Sequence, residues 1–547
     1  MAGKINAALE QIKDCIDKNE DFCLNAGAGS GKTHTLVSTI NYLKSEYSKD
    51  KIVCITYTNN AKDEIISRLY DTQNVLVSTI HDFIWKNMCK FQKSLRLEVN
   101  KYIEEKIKKY EQENNEERLE KYLNADLSLP ITYRDYESLS NGVISHDTLL
   151  SIFKSFLLNK QFCNVLFSSF NYIFIDEYQD THKTIFYEFI KAFQEYKKCS
   201  NNILIGLFGD TMQNIYNTGI GEIHDEFKTL FRYIQKEDNY RSCEQIIKLN
   251  NCLRNDLEQV CGNDNIEKEE IKFIYNISED KYLKGCTCYN DYEKLHLTHR
   301  YIAEEIGFSN LFNVYNQKYG DKTSTIIKNA DERFLRYICN EIMPSIYEFK
   351  NNITCTIIKN INKNYFDFKM LTTIKEQLNN IIINMNSISI NEFLKKIFEL
   401  DFFSNLNYYN LIKSYEESDD NEFFNLIKEI KAIEFYNYYL QYSDSTLLQT
   451  MHGTKGNEFS KVLININENT TWNWYNFSKW LKNETMKDTV KIRTEKLLYV
   501  SCTRAQNSLI INYIVEDTNS KSEHAISTMK NNVERIWRDN IKFVVYE

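Results

Sequence analysis

Short apolar runs alternate with helix-forming segments along the first part of the chain. The runs are typical of buried strands and occupy residues 22–24, 52–55 and 75–77. The segments with a helical spacing of apolar residues lie at 5–16, 35–42 and 61–69. Strands that alternate with helices in this way predict a parallel sheet covered on both faces.

The alternation stops between residues 86 and 162, where helical sequence predominates. A charged run over 101–122 places Glu and Lys four positions apart, which predicts one solvated surface helix. Strand-like runs return at 172–175 and 203–208. We therefore predict a first α/β lobe formed by residues 1–85 and 163–218, with residues 86–162 as a helical insertion.

The second half of the chain repeats this organisation without repeating the sequence. Strand candidates occur at 295–297, 462–464 and 508–511, and a helix near 525–537 precedes a terminal strand. A long helical region separates the first of these strands from the others. We predict a second α/β lobe from residues 219–306 and 446–547, with residues 307–445 as its helical insertion. The fold class is α/β, with two interrupted lobes.

The composition fits a large, mostly helical protein of several domains. A chain of 547 residues is too long for a single core. Only 2 Pro and 15 Gly argue for few long flexible linkers. The net charge of −9 excludes a globally basic coat for nucleic acid, but it is compatible with a local basic groove.

The 14 cysteines are dispersed and show no C-x-x-C spacing. Cys286 and Cys288 alone cannot complete a tetrahedral metal site. We expect reduced thiols and a cytoplasmic protein. The N-terminal residues form no apolar signal core, and no run is long enough to span a bilayer.

A glycine-rich turn between the first strand and the next helix predicts a polyphosphate site. Its residues are Ala26-Gly27-Ala28-Gly29-Ser30-Gly31-Lys32-Thr33. Backbone N–H groups of such a turn converge on phosphate at the positive end of the helix dipole. Lys32 can reach the β- and γ-phosphates, and the Thr33 hydroxyl can bind Mg²⁺. The chain is therefore expected to bind ATP or another nucleoside triphosphate.

Two adjacent carboxylates, Asp176 and Glu177, follow the apolar run at 173–175. Ligands bind at the carboxyl ends of strands in open α/β sheets. Two acids on a buried strand are costly unless a cation or a water uses them. We expect Asp176 to hold Mg²⁺ and Glu177 to orient and deprotonate the attacking water.

The run Asp176-Glu177-Tyr178-Gln179-Asp180 resembles motif II of the superfamily 1 helicases of the UvrD/Rep type. Residues 56–61 and 78–81 resemble motifs Ia and Ib, and residues 209–213 resemble motif III. Residues 239–242, 450–459 and 499–505 resemble motifs IV, V and VI. The resemblance covers nearly the whole chain. It implies two RecA-like lobes that share one ATP at the cleft between them.

The resemblance also assigns roles to single residues. It implies that Gln213 couples the γ-phosphate to the DNA site and that Arg241 and Arg504 are arginine fingers. Such a finger is worth roughly 10³–10⁵ in rate. The residues it places at the nucleotide are Gln11, Ala26, Gly27, Ala28, Gly29, Ser30, Gly31, Lys32, Thr33, His34, Tyr240 and Glu458. Those it places at single-stranded DNA are Tyr57, Asn59, Thr79, His81, Tyr216, Thr450 and His452.

One departure from the family pattern follows Tyr216. The family has Gly-Trp-Arg-Gly there, and its tryptophan stacks on a DNA base, whereas this chain has Asn217-Thr218-Gly219-Ile220. Stacking on a base is worth roughly 1–3 kcal/mol, so its loss would weaken the grip on DNA. Tyr57, Tyr216 or the cluster of Trp472, Trp474 and Trp480 could compensate, although packing of the second lobe is the favoured role of these tryptophans.

The implied function is an ATP-driven helicase or translocase that moves 3′ to 5′ on single-stranded DNA or a tailed duplex. Residues 173–180 also resemble the helicase-like subunit of Gabija-type anti-phage systems, which pairs with a Toprim/OLD-type nuclease. The residues after Arg504 leave no room for a nuclease domain, so we expect any DNA cutting to come from a partner. The alternatives are a repair helicase that acts alone and an ATPase that senses DNA ends and gates a partner. A small-molecule kinase would give no role to motifs III to VI.

Overall fold

The structure is a computed structural model that describes residues 7–126, 128–200, 202–216, 218–263, 266–351, 368–400, 406–443, 448–469 and 472–547. The chain forms two compact units. Unit 1 comprises Met1–Ile271, Trp472–Ser508 and Asn531–Ile541, and unit 2 comprises Lys272–Thr471, Leu509–Lys530 and Lys542–Glu547. Asn217 and parts of the predicted second insertion lie outside the described residues.

The strands of the described residues are numbered in chain order. They are β1 Phe22–Ala26, β2 Ile52–Thr56, β3 Val75–Thr79, β4 Thr132–Tyr133, β5 Val143–Ile144, β6 Tyr172–Asp176, β7 Leu204–Gly209, β8 Arg232–Lys236, β9 Asp238–Asn239, β10 Val260–Cys261, β11 Ile271–Asn276, β12 Glu293–His296, β13 Gln449–Thr450, β14 Phe459–Asn467, β15 Ala505–Ile514 and β16 Lys542–Tyr546.

The α-helices before residue 300 belong mainly to unit 1. They span Ala7–Lys18, Lys32–Glu46, Asn59–Arg68, Ile80–Met88, Gln92–Gln112, Glu116–Leu123, His146–Leu157, Lys160–Phe167, Lys183–Lys197, Asp225–Lys228, Glu244–Asn251 and His299–Ile306. The later ones span Ser309–Tyr319, Thr323–Asn329, Arg333–Tyr337, Met343–Lys350, Phe368–Ile383, Ile390–Phe398, Leu406–Glu416, Asn421–Lys428, Ala432–Ser443, Phe477–Leu481, Asp488–Cys502 and Glu523–Trp537.

The first sheet has six strands in the order β3-β2-β6-β7-β1-β8, and every neighbouring pair is parallel. Side chains of a strand alternate between the two faces of a sheet. Phe22 and Leu24 therefore enter one buried cluster with the helices that flank β1, while Cys23 enters a second cluster with Phe83 and Phe189. Both faces are covered, as the alternation of strands and helices predicted.

The second sheet has six strands in the order β13-β12-β14-β15-β11-β16. The pairs β12–β13, β12–β14 and β11–β16 are parallel. Two six-stranded sheets with helical segments between their strands confirm the predicted α/β class. Most of the helices from Ser309–Tyr319 to Ala432–Ser443 share a separate buried cluster in unit 2.

Two local features differ from the expectations. The prediction of one helix over 101–122 is wrong, because the helix Gln92–Gln112 ends before Asn114, whose φ of 49° is left-handed. Asn115 then caps the helix Glu116–Leu123 by accepting a hydrogen bond from the Arg118 N–H. β8 was not predicted, because it has no continuous apolar run. Its buried positions are Ile234 and Lys236, whereas Tyr233 is exposed. Exposed and polar positions are common in a strand at the edge of a sheet.

Within the described residues, no helix combines the length and the apolar character that a membrane crossing requires.

Candidate nucleotide site

The phosphate loop lies between the end of β1 and the helix Lys32–Glu46 in unit 1. Gly29 and Gly31 have φ values of 76° and 73°, in the left-handed region that residues with a Cβ atom rarely adopt. This conformation lets the chain turn sharply at the start of the helix. N–H groups at a helix N-terminus are not used within the helix, so they can bind an anion.

The segment at 239–241 packs directly on this loop. The Tyr240 N–H donates to the Gly29 carbonyl at 2.8 Å, and the Asn239 side-chain amide donates to the Ala28 carbonyl at 2.9 Å. A Cβ atom at Gly29 would lie 2.7 Å from the Cβ of Arg241. Glycine is therefore required here by close approach as well as by backbone conformation. The contact brings the predicted Tyr240 and Arg241 beside the phosphate loop.

Lys32 faces the two carboxylates at the end of β6. Its Nζ lies 2.5 Å from Glu177 Oε1 and 3.9 Å from Asp176 Oδ1. Burial opposes the charge of Lys32, but the two carboxylates outweigh it and raise the lysine pKa. Burial raises the pKa of Asp176, against the opposite effect of Lys32. The three side chains form one charge cluster that is largely shielded from water.

The polar atoms of this cluster fit a metal-bound triphosphate. Among the described residues, the buried Ser30 Oγ and Asp176 Oδ1 have no hydrogen-bond partner. Buried polar atoms in native proteins are almost always paired, so these two are suited to a ligand. Mg²⁺ is commonly held by one or two protein oxygens together with phosphates, and Asp176 and Thr33 supply that set.

Glu177 has a left-handed backbone, with φ 50° and ψ 42°. This conformation is uncommon for a residue with a side chain and is often found at functional sites. The Gln179 side-chain amide donates to Glu177 Oε2, and the Asp210 N–H donates to Gln179 Oε1 at 3.2 Å. Gln179 therefore links Glu177 to the segment that follows β7.

The two predicted arginine fingers lie close together in unit 1. The Arg241 Nη1 donates to the Thr503 carbonyl at 3.2 Å, one residue before Arg504. Arg504 is 1% exposed, and its Nε donates to the Val500 carbonyl at 2.9 Å. Burial, assisted by the neighbouring charge of Arg241, lowers the pKa of Arg504 to about 9. Two guanidinium groups held near each other favour the binding of a polyanion.

Comparison with known proteins agrees with this geometry. A family model described as an AAA domain matches residues 10–219, and a model of the UvrD-like helicase C-terminal domain matches residues 288–516. The chain belongs to the UvrD-like superfamily 1 helicases. It is accordingly a DNA-dependent ATPase of the helicase class.

Three relatives illustrate the similarity. The Gabija protein GajB of Bacillus cereus (strain HuB5-5) is 28% identical over 94% of this chain and 96% of its own length. The ATP-dependent DNA helicase Rep of Buchnera aphidicola subsp. Schizaphis graminum is 24% identical over 92% of each chain. The ATP-dependent DNA helicase PcrA of Staphylococcus epidermidis (strain RP62A) is 23% identical over 92% of this chain and 83% of its own length.

The other residues that were predicted to serve the nucleotide site of this helicase lie in different environments. Gln11 is exposed on the helix Ala7–Lys18, and His34 is exposed in the first turn after the phosphate loop. The Tyr240 ring is 4.0 Å from where a Cβ of Gly31 would lie. Gln213 is buried, and its amide donates to Asp210 Oδ2 at 2.9 Å. Glu458 is exposed and belongs to unit 2.

Two predicted DNA residues of the helicase form an aromatic pair. The rings of Tyr57 and Tyr216 stack with centroids 6.1 Å apart and planes 22° apart, and each residue is more than one-third exposed. Exposed, pre-ordered aromatic faces are the groups on which nucleic-acid bases stack. The pair lies in unit 1, in the same unit as the phosphate loop.

The other predicted DNA residues are more varied. Asn59 is exposed at the start of a helix, and Thr79 caps the helix Ile80–Met88 by accepting from the Asp82 N–H at 3.3 Å. The His81 ring lies 4.6 Å from that of His146, and burial together with this neighbour lowers its pKa. Thr450 and His452 belong to unit 2, where burial lowers the pKa of His452 to about 4.

The tryptophans that could replace the missing stacking residue do not form one group. Trp480 packs against Trp537 with ring centroids 6.1 Å apart and donates to Glu495 at 2.9 Å, as a structural residue would. Trp472 and Trp474 are 37% and 46% exposed, and the Arg493 guanidinium lies 4.8 Å from the Trp474 ring centroid. All three belong to unit 1.

Several residues of the helicase site were not predicted from the sequence. Gln259 donates to the Ala28 carbonyl at 3.0 Å, and the backbone N–H of Ala28 donates to the Tyr499 hydroxyl at 3.3 Å. Arg254 bonds the same hydroxyl at 2.7 Å. Tyr499 lies within a recognisable motif and could have been inferred from it, whereas Arg254 and Gln259 follow no pattern in the sequence.

The close approach at Gly29 generates a prediction. Gly29→Ala should lower kcat/KM for ATP by at least about tenfold, because the new methyl group displaces Arg241 and strains the loop. Gly320→Ala is the matched control, since Gly320 also has positive φ but no atom lies within 4 Å of its Cβ position. It should cost about 1–3 kcal/mol of stability, because its backbone conformation is one that residues with a side chain rarely adopt, and leave ATP turnover unchanged. Steady-state ATPase assays on both variants make the comparison, and equal turnover would contradict it.

Proposed function

We propose that this helicase moves 3′ to 5′ along single-stranded DNA, driven by ATP hydrolysis, and that it works in the cytoplasm with a nuclease partner in anti-phage defence. The observation that carries the ATPase part is the convergence of Lys32, Glu177 and Arg241 on one glycine-rich loop. The 28% identity to a Gabija protein GajB over 94% of the chain supports the defence role and the nuclease partner. The proposed 3′ to 5′ direction of movement follows from the resemblance to UvrD/Rep-type helicases.

The phosphate loop and Lys32 would bind the triphosphate of ATP. The Lys32–Glu177 ion pair would have to break when ATP binds, because Lys32 must exchange the Glu177 carboxylate for phosphate oxygens. That exchange leaves Glu177 available to orient and deprotonate the attacking water. Thr33 and Asp176 would hold Mg²⁺, which supplies positive charge to the phosphate oxygens when bound.

Arg241 and Arg504 would stabilise the charge that develops during phosphoryl transfer. The hydrogen bond from Arg241 to the Thr503 carbonyl fixes one arginine relative to the other. Pre-ordered cations in a buried region stabilise a transition state more strongly than solvated cations do. Because Arg241 bonds the residue next to Arg504, both side chains would act on a single phosphoryl group.

A short segment would couple hydrolysis to DNA. Residues 209–216 run from the end of β7 past Gln213 to Tyr216, whose ring stacks on Tyr57. The Asn214 side-chain amide donates to the Gln179 carbonyl, and Gln179 also contacts Glu177. A change at the γ-phosphate can therefore reach the aromatic pair through a few hydrogen-bonded residues.

The ATPase assignment is tested by two substitutions. Lys32→Ala and Glu177→Gln should each lower single-stranded-DNA-stimulated ATP turnover by about 10³-fold or more, since one removes phosphate binding and the other removes the base. Glu177→Gln should retain nucleotide binding, which fluorescent-nucleotide titration measures. Near-normal turnover in either variant would reject the mechanism. For the wild-type protein, faster unwinding of a 3′-tailed duplex than of a 5′-tailed duplex would support the polarity, and the reverse order would refute it.

The stacked tyrosines generate a second prediction. Tyr216→Ala should weaken binding to single-stranded DNA by about 1–3 kcal/mol, the contribution of one stacked base. Tyr70→Ala is the matched control, because Tyr70 is 93% exposed on the same unit and should contribute nothing. Fluorescence anisotropy with a labelled oligonucleotide measures both affinities. Equal affinities of the two variants for single-stranded DNA would show that the aromatic pair does not bind DNA.

A second candidate function is supported by the residues after Tyr216. Thr218 and Gly219 stand where the family has a Trp-Arg pair, and neither can stack on a base. An ATPase that senses DNA ends and gates a nuclease needs DNA binding but not processive unwinding. Strong stimulation of ATP turnover by DNA without strand separation would favour this function. Efficient unwinding by the isolated chain would favour a helicase that acts alone.

A further inference from the structure

Arg254 is a fully buried cation that lies outside every recognised motif. Its side chain is 0% exposed and lies in unit 1, three residues after the helix Glu244–Asn251. A buried charge is costly unless it is paired and hydrogen-bonded. The partners that Arg254 uses therefore indicate its role.

The guanidinium of Arg254 bonds three side chains at once. Nη2 lies 3.3 Å from Asp210 Oδ1, Nη1 donates to the Tyr499 hydroxyl at 2.7 Å, and Nε donates to Asp256 Oδ1 at 3.0 Å. The guanidinium carbon also lies 5.3 Å from the centroid of the Tyr499 ring. A planar fork of donors can make these bonds together, and a lysine ammonium cannot.

Each partner of Arg254 contacts a different part of the nucleotide site. Asp210 accepts from the Gln213 amide at 2.9 Å, and Tyr499 accepts from the Ala28 N–H in the phosphate loop at 3.3 Å. The helix that carries Tyr499 ends two residues before Arg504. Asp256 accepts from Asn25 at the end of β1 and from Thr211, both at 3.0 Å.

Two of the partners of Arg254, Tyr499 and Asp210, also bond each other. The Tyr499 hydroxyl donates to Asp210 Oδ2 at 3.3 Å while it accepts from Arg254 and Ala28. Its hydrogen-bonding capacity is thus fully used. A displacement of Arg254 would move Asp210 and Tyr499 together, and with them Gln213 and the helix end that leads to Arg504.

We propose that Arg254 is a positioning residue of the ATPase, which holds Gln213 and Arg504 in register with the phosphate loop through Asp210 and Tyr499. The proposal rests on the proposed function of the site. Arg254 does not contact the nucleotide in this role, so it should affect the rate of the chemical step far more than the binding of ATP.

The first test separates the rate from binding. Arg254→Met and Arg254→Lys should each lower kcat for DNA-stimulated ATP hydrolysis by about 10- to 100-fold, the effect of misplacing catalytic groups by about 1 Å. KM for ATP and the affinity for a fluorescent nucleotide should change by less than about threefold. A role limited to stability would lower the melting temperature and leave kcat of the folded protein unchanged, which would overturn the proposal.

A double-mutant cycle tests the route through Asp210. If Arg254 acts through this carboxylate, Arg254→Met combined with Asp210→Asn should be no slower than the slower single variant, within about threefold. If the fold-decrease in kcat of the double variant equals the product of the two single decreases, the two residues act independently. That result would contradict a role of Arg254 through Asp210.

The control is Lys197→Met, which removes the cation of another shielded ion pair in unit 1. Lys197 Nζ lies 2.7 Å from Asp21 Oδ1, next to the start of β1 and at the opposite end of this strand from the phosphate loop. This variant should keep wild-type kcat. If Arg254→Met does not fold, Asp256→Asn decides the question, because Asp256 is partly exposed and anchors Arg254. A loss of about threefold or more in kcat supports the proposal, and unchanged kcat overturns it.

The outcomes also distinguish this proposal from the proposed function. Absence of ATP turnover in the wild-type protein with single-stranded DNA would reject the function itself. Wild-type turnover with a normal rate in folded Arg254→Met would reject the positioning role alone.

Discussion

The compensation of buried charge is the constraint on which the rest of this site depends. Lys32 lies against Glu177 and Asp176, and Arg254 lies against Asp210, all with little or limited exposure to water. Such charges are stable only in pairs, so removal of one partner leaves a costly unpaired ion. A triphosphate can replace the carboxylate partners of Lys32 because it is also an anion, and a metal cation can replace Lys32 as the partner of Asp176. We therefore expect nucleotide binding to rearrange Glu177.

The parallel sheet of unit 1 is the scaffold that makes this cluster possible. β1, β6 and β7 are neighbours, and the phosphate loop, Asp176 and Asp210 all lie at their carboxyl ends. Strand ends in a sheet with both faces covered are held rigidly, which keeps the charged groups at fixed distances. The glycine at 29 then allows the backbone to approach the segment at 239–241 without a clash.

The sequence predicted the parts of the site that depend on local patterns. The strand, the glycine-rich turn and the helix of the phosphate loop lie within one short segment, and the Asp-Glu pair follows an apolar strand directly. β8 was missed because most of its residues are exposed or polar, and the helix break at Asn114 was missed because a charged run gives little indication of a left-handed residue. Arg254 contacts Asp210 and Tyr499, which are 44 and 245 positions away, and Gln259 contacts Ala28, 231 positions away. No periodicity in the sequence records such contacts.

Arg241, which lies beside the phosphate loop, is proposed to stabilise the transferring phosphoryl group. The most direct measurement is the single-turnover rate of ATP hydrolysis by Arg241→Gln, with single-stranded DNA present and with nucleotide affinity measured in parallel. The rate should fall by about 10³-fold or more, and the nucleotide affinity should stay within about tenfold of wild type. A rate within about threefold of wild type would contradict it, because the arginine would then contribute nothing that the transition state needs.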